Sequence, residues 1–153
     1  MSNTTAQHAP SRRKIERERR EKAMTLTHQR AHDPNFSVAA VAEELHLSLR
    51  QLYRCFAGHV SPTELISRRR TASAVALMLA DPEIPVEAIT DAAGFSDPST
   101  LRDHLQRYTG MGPRQLRLII RNRGPRNLRF TSNMVMRRSE TTWIPVAEAT
   151  PIE

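Results

Sequence analysis

An all-α fold is predicted, built as two helix-turn-helix subdomains joined by a long linker helix, about seven helices in all. Three observations carry that expectation. Residues 86–117 read as helix, glycine turn and helix; a second copy of the pattern lies upstream at 38–62; and residues 62–80 between them make one unbroken helical run. In the downstream copy Val86, Ile89, Ala92 and Ala93 recur at helical spacing and give one apolar face. Gly94 closes that helix in the left-handed conformation that costs glycine little. Ser96 or Asp97 caps the next helix, and Pro98 occupies the first turn, where a missing N–H is tolerated. Leu101, His104, Leu105 and Tyr108 then fall on one side, with Ser99, Arg102 and Gln106 on another. Such a polar and cationic face suits entry into a major groove.

Taken in order, residues 1–12 are small, polar or basic and are expected to form a disordered tail. Residues 12–32 lack Pro and Gly and interleave Glu with Arg and Lys, so they predict a helix frayed at its start. Its apolar stripe is thin: Ile15, Ala23, Leu26 and Gln29. Asp33 and Pro34 end it, because the residue before proline avoids the helical region. Ser37 caps a short helix carrying Val38, Val41, Ala42 and Leu45. Val38 with Val86, Val41 with Ile89, Leu47 with Phe95 and Ser48 with Ser96 stand at one constant offset. The offset grows by one residue at Leu52/Leu101 and Phe56/Leu105, and by two more at Pro62/Pro113. Extra residues confined to helix ends are what two copies of one supersecondary unit tolerate. His46 replaces Gly94 at the first copy's turn, and His is among the few non-glycine types enriched at positive φ.

In the first copy's second helix Leu52, Cys55 and Phe56 mark the buried side, and Arg50, Tyr53 and Arg54 stack on the opposite side. That outward stripe is the best candidate for reading bases. Ser61, Pro62 and Glu64 match a capping box with proline in the first turn, so the linker helix begins there and runs to about Ala80. Arg68 and Arg69 on it are expected to stay solvated or touch phosphate. The last helix is expected to end before Asn122. Residues 122–153 form a largely irregular tail, in which Leu128, Phe130, Met134 and Met136 share a parity; a weak hairpin, disorder and docking on the domain all stay open.

At 153 residues and 39% hydrophobic content the chain has room for one domain or two very small ones. Its formal net charge of +7 favours a polyanionic partner. Arg12, Arg13 and Lys14, with Arg121, Arg123, Arg126, Arg129, Arg137 and Arg138 toward the other end, are candidates for non-specific affinity, set against mere solubility. One cysteine excludes an internal disulfide framework and a multi-cysteine zinc site, and Cys55 reads as an inert buried thiol. His28, His32 and Asp33 have a spacing that could hold a metal, but no further ligand completes the set. No nucleophile–base pair or phosphate-binding glycine loop stands out, so neither catalysis nor a cofactor or metal is expected. The N-terminus lacks a signal-peptide core and no apolar run reaches membrane-spanning length, so a soluble cytoplasmic protein is expected.

These features resemble the DNA-binding domain of the AraC/XylS family of bacterial transcription regulators. The residues that carry the resemblance are GFSDPST at 94–100, then Leu101, Leu105, Gly110, Pro113 and Arg117, together with Ser48, Leu52, Arg54, Phe56, Arg70 and Ala74. The resemblance spans 13–121, with a first unit at about 36–62, the linker helix at about 62–80 and a second unit at about 84–121. It implies recognition helices in two successive major grooves roughly 34 Å apart, and a core-lining place for Arg70 beside an acidic partner. It further implies DNA-binding positions at Arg50, Tyr53 and Arg54, flanked by Ser48 and Gln51, and at Pro98, Ser99, Thr100 and Arg102, with Gln106 beyond. Asp103 and Leu105 depart from the family pattern, which commonly has a cation or polar residue and an aromatic there. Most members also carry a ligand-sensing domain, so the expectation is a stand-alone or truncated regulator. Its expected partner is double-stranded DNA in the nucleoid, bound as a monomer or weak dimer, with RNA polymerase a second candidate. Two alternatives remain: a protein-binding adapter or degraded regulator that keeps the fold, and a DNA-alkylation-repair enzyme, which would need a reactive cysteine.

Overall fold

Five helices begin on a side-chain cap that the sequence supplies. Ser11, Ser37, Ser48, Ser61 and Asp97 each accept a hydrogen bond from the backbone N–H three residues on, satisfying one of the donors that a helix start leaves open. The computed structural model describes residues 11–123 and two later segments, 135–139 and 142–146. In chain order the helices are α1 (Arg12–Arg30), α2 (Val38–Glu44), α3 (Leu49–Cys55), α4 (Pro62–Ala80), α5 (Val86–Ala93), α6 (Pro98–Thr109) and α7 (Pro113–Arg123). The all-α, double helix-turn-helix expectation holds for this body. Beyond it, β1 (Val135–Ser139) and β2 (Thr142–Val146) pair antiparallel, Val135 opposite Val146 and Ser139 opposite Thr142. This antiparallel pairing is the one the hairpin alternative expects of residues 135–139 and 142–146, while the expectations for residues 1–10, Leu128, Phe130 and Met134 lie outside the described residues.

Two apolar clusters organise the helices, one for each copy of the repeat. The first gathers Ala23, Phe36, Val41, Leu47, Leu52, Phe56 and Ile66; the second gathers Met78, Ile89, Phe95, Leu101, Leu105, Leu116 and Ile120. The repeat pairs Val41/Ile89, Leu47/Phe95, Leu52/Leu101 and Phe56/Leu105 thus occupy matching places in separate cores. α4 serves both, giving Ile66 to the first and Ala74, Val75 and Met78 to the second. A helix apolar at both ends on different faces is shared between clusters rather than laid over one.

Several expectations are corrected by local chemistry. α1 stops at Arg30, not His32, and its buried stripe uses Thr27 in place of Gln29, which is exposed. The Thr27 hydroxyl is spent on the Ala23 carbonyl at 2.9 Å, which lets it sit in the interior. In α5 the same device buries Thr90, bonded to the Val86 carbonyl at 2.7 Å, and leaves Ala92 exposed. Of the two caps expected for α6, Asp97 serves and Ser96 supports it, its hydroxyl donating to Asp97 Oδ2. The reciprocal capping box forms at Ser48 and Gln51 rather than at Ser61, because Glu64 turns its carboxylate away from its own helix start. Arg70 forms no ion pair among the described residues; it donates to the carbonyls of Ala31, Asp33 and Phe36 at 2.8, 2.9 and 2.8 Å, satisfying the cap of α1 and the loop that follows it. Arg68, expected in solvent, is largely covered and paired with Glu64. α7 starts at Pro113 and continues through Asn122 to Arg123.

The two turns match the reading of their residues. His46 adopts φ 53° and Gly94 φ 82°. At Gly94 the requirement is doubled, since a Cβ there would lie 2.4 Å from the Ala31 carbonyl oxygen. The turn of the second unit therefore rests directly on the end of α1.

Candidate nucleic-acid interface

α3 begins on its capping box: Ser48 Oγ accepts from the Gln51 N–H and Gln51 Oε1 accepts from the Ser48 N–H at 2.8 Å. Both side chains proposed for DNA contact at those positions are thereby used in holding the helix. With Leu52 and Cys55 buried behind it, the helix presents Arg50, Tyr53 and Arg54 to solvent. Two of the three are held. The Tyr53 and Thr63 hydroxyls share a hydrogen bond of 2.7 Å, and Arg54 Nε lies 3.2 Å from Glu16 Oε1 on α1. Such a half-exposed pair contributes little to stability, about 0–1 kcal/mol. Its effect is on direction, keeping a long guanidinium in one orientation beside the helix. Arg50 enters no ion pair among the described residues.

α6 is the counterpart. Leu101, Leu105 and Tyr108 are buried with His104 half-buried, and Ser99, Arg102 and Gln106 are exposed, as their spacing predicts. Pro98 opens the helix, and Thr100 is tied to Asp97 through both its N–H (2.8 Å) and its hydroxyl (2.7 Å). Those bonds, with one from Ser96, hold the Asp97 carboxyl down at about 2 against an ordinary 3.8. Gln106 donates to the Gly110 carbonyl at 2.9 Å, closing the helix's far end. Arg102 forms no pair with its exposed neighbour Asp103 among the described residues, so it stands free; an open groove between α6 and α7 brings it together with Arg114, Arg117 and Arg121. A second hollow, on the other unit, joins Arg13, Lys14, Arg17 and Arg20 of α1 to Arg54 and His59. Cationic side chains thus border both recognition helices, the kind of surface that takes phosphates, with Glu16 also lining the second hollow, Arg121 paired with Glu83 and Arg17 with Glu21.

Spacing did not single out the residues between the helices. Glu64 accepts from Arg68 Nε at 2.7 Å, from the Tyr108 hydroxyl at 2.8 Å and from Arg107 at 3.2 Å. Burial alone would raise this carboxyl, but the Arg68 and Tyr108 hydrogen bonds and the two arginine charges hold it below its usual value. Burial and the Glu64 bond push the Tyr108 phenol up to about 12. His104 stacks edge-on against Phe95 and tilted against Tyr108, and burial followed by the Arg107 charge lowers its basicity. The S-x-x-E spelling at 61–64 pointed to Glu64 as a cap; Arg68, four residues on, is a partner that helical spacing offers, whereas no short-range signal shows Arg107 and Tyr108, more than forty residues away.

Cys55 is buried and its thiol is pushed up by that burial, the opposite of a reactive site. Among the described residues no three potential metal ligands cluster, and no helix is long and apolar enough to cross a membrane.

A family model described as a helix-turn-helix domain matches residues 41–118. No curated protein matches the chain by sequence. Among solved structures, the C-terminal domain of AraT, a response regulator from Geobacillus stearothermophilus, is similar with a TM-score of 0.62 and 22% identity, over 65% of this chain and 84% of that one. The DNA-binding domain of AdpA, a global transcriptional factor solved in complex with a target DNA, gives 0.60 and 24%, over 69% and 95%. A DNA-binding transcriptional dual regulator from Escherichia coli K-12 gives 0.59 and 18%, over 68% and 93%. At these identities the likeness is one of fold.

Proposed function

The chain belongs to the AraC-type helix-turn-helix family of DNA-binding transcription regulators, and from that premise we propose that it reads one asymmetric duplex site by laying α3 and α6 in two successive major grooves. The observation that carries this reading is the matched pair of amphipathic helices. Each buries the same repeat positions and turns a short cationic row outward, Arg50, Tyr53 and Arg54 on α3, Ser99 and Arg102 on α6. Arginine binds guanine edges bidentately, and tyrosine reaches phosphate or a thymine methyl. Pro98 and Thr100 set the start of α6 so that Ser99 and Arg102 lead into the groove. Ser48, Gln51 and Gln106 act one step back, by holding the ends of the two helices. The hollows lined by Lys14 and Arg17 on one side and by Arg114 and Arg121 on the other take flanking phosphates. Two readers in one chain remove the need for the dimer that other helix-turn-helix proteins use to gather two half-sites, so the binding unit is a monomer. A DNA complex of the structurally similar AdpA domain lends support. Selection from random duplexes tests the reading. It should return two short half-sites about one helical turn apart. Recovery of no preferred sequence would count against it.

A further inference from the structure

Neighbouring residues in the first turn of α4 each hold a different recognition helix. Thr63 shares its 2.7 Å hydrogen bond with Tyr53 of α3. Glu64 accepts from Tyr108 at 2.8 Å and from Arg107 at 3.2 Å, both in the last turn of α6, while Arg68 fills its other oxygen at 2.7 Å. Behind this turn, Arg70 ties α4 to the carbonyls of Ala31, Asp33 and Phe36, and the Gly94 turn that leads into α6 sits against the backbone of Ala31 and His32.

We propose that Thr63 and Glu64 are positioning residues that brace α3 against α6 and so set the half-site spacing the chain accepts, an inference that rests on the two-groove reading above. A stiff linker helix fixes where its own two ends lie. How α6 is turned about it is set by the packing of Ala74, Val75 and Met78 with Leu101 and Leu105 and by directional contacts off the helix axis. Glu64 supplies one at the C-terminal end of α6, and the Gly94 contact supplies another ahead of its N-terminus. One base pair added between half-sites moves the second by about 3.4 Å and turns it by about 34° round the duplex. Hydrogen bonds lose their worth over a fraction of that displacement, so a braced pair of readers rejects the altered spacing whereas a loosened pair follows it. The bond from Tyr108 is half-buried and charge-assisted, which makes it stronger than a neutral surface contact.

The test uses the full chain with Tyr108→Phe, which keeps the ring in the core and removes only the hydroxyl, and separately Thr63→Val and Glu64→Gln. Affinity is measured for the selected duplex, for duplexes with one base pair added or removed between half-sites, and for each half-site alone. The parent chain should lose at least about tenfold for a one-base-pair change, the scale of one lost specific contact. The variants should shrink that penalty to below about threefold, with affinity for each isolated half-site unchanged. An undiminished spacing penalty in all three overturns the proposal, as does a parallel loss at single half-sites, which would mark a merely structural role. A second readout needs no DNA: the distance distribution between spin labels at Arg50→Cys and Arg102→Cys, with Cys55 buried away from the label. It should be narrow in the parent and broadened by Tyr108→Phe, and an unchanged distribution refutes the brace. Should random selection recover no sequence, the two-groove reading fails by itself, and the label distances still decide whether the brace exists.

Discussion

Arg54 carries the sharpest statement that one residue can make here. It stands on the outward row of α3, aimed by Glu16 at 3.2 Å. Arg54→Ala should cost about 1–3 kcal/mol in binding and relax specificity in one half-site only, as read by selection with the variant. Loss spread evenly over all sequences would reassign Arg54 to phosphate. Gly94 is the residue with no substitute. Its φ of 82° and the Ala31 carbonyl 2.4 Å from where a Cβ would sit penalise Gly94→Ala twice. The conformation costs about 1–2 kcal/mol and the clash adds to it, so a thermal melt should show a clear loss; an unchanged midpoint would mean that the turn relaxes freely. Asp97 links the second unit to pH. Its folded carboxyl is depressed to about 2 from 3.8, so its contribution is complete above about 3.8 and is lost as pH falls through about 2. Stability measured from pH 5 down to pH 2 should fall accordingly, and Asp97→Asn, which can still cap, should flatten that part of the curve.

At the scale of elements, caps and turns were legible because their chemistry is local. Ser37, Ser61, Pro62, His46 and Gly94 all do what their residue types and immediate neighbours imply. So were the buried sides of α3 and α6, since the spacing of Leu52, Cys55 and Phe56, and of Leu101, Leu105 and Tyr108, reports a single face. What the sequence withheld were contacts made across the chain. Arg70 looked like one half of an ion pair because no periodicity reveals three backbone carbonyls at the end of another helix. The apolar stripes read from spacing left out Thr27 and Thr90, because the hydroxyl's return to its own helix is invisible until burial demands it. On the candidate site the outward row of α3 was legible, and the restraints from Glu16 and Thr63 were not. The α3 capping box offers an element-scale test. Ser48→Ala should destabilise the chain by about 1 kcal/mol in urea unfolding, because α3 spans only seven residues and has few other bonds at its start. No change in the unfolding midpoint would show that burial of Leu52 and Cys55 alone holds the helix.

For the whole molecule, the decisive arrangement is two small cores with α4 common to both. Ile66 belongs to one and Met78 to the other, so α4 cannot leave one cluster without disturbing the next. Neither cluster alone holds many residues, and a core that small rarely stabilises a domain unaided. Sharing a helix makes the two units one body, and the net charge of +7 gives that body a general attraction to a polyanion. That attraction supplies affinity without register; the register comes from where α3 and α6 sit. Protection of guanine N7 from methylation tests this most directly, because that atom is exposed only in the major groove. On a selected duplex the bound chain should protect two patches on one face of the helix, centred about one turn apart. Protection confined to one patch, or none in either groove, would contradict the account.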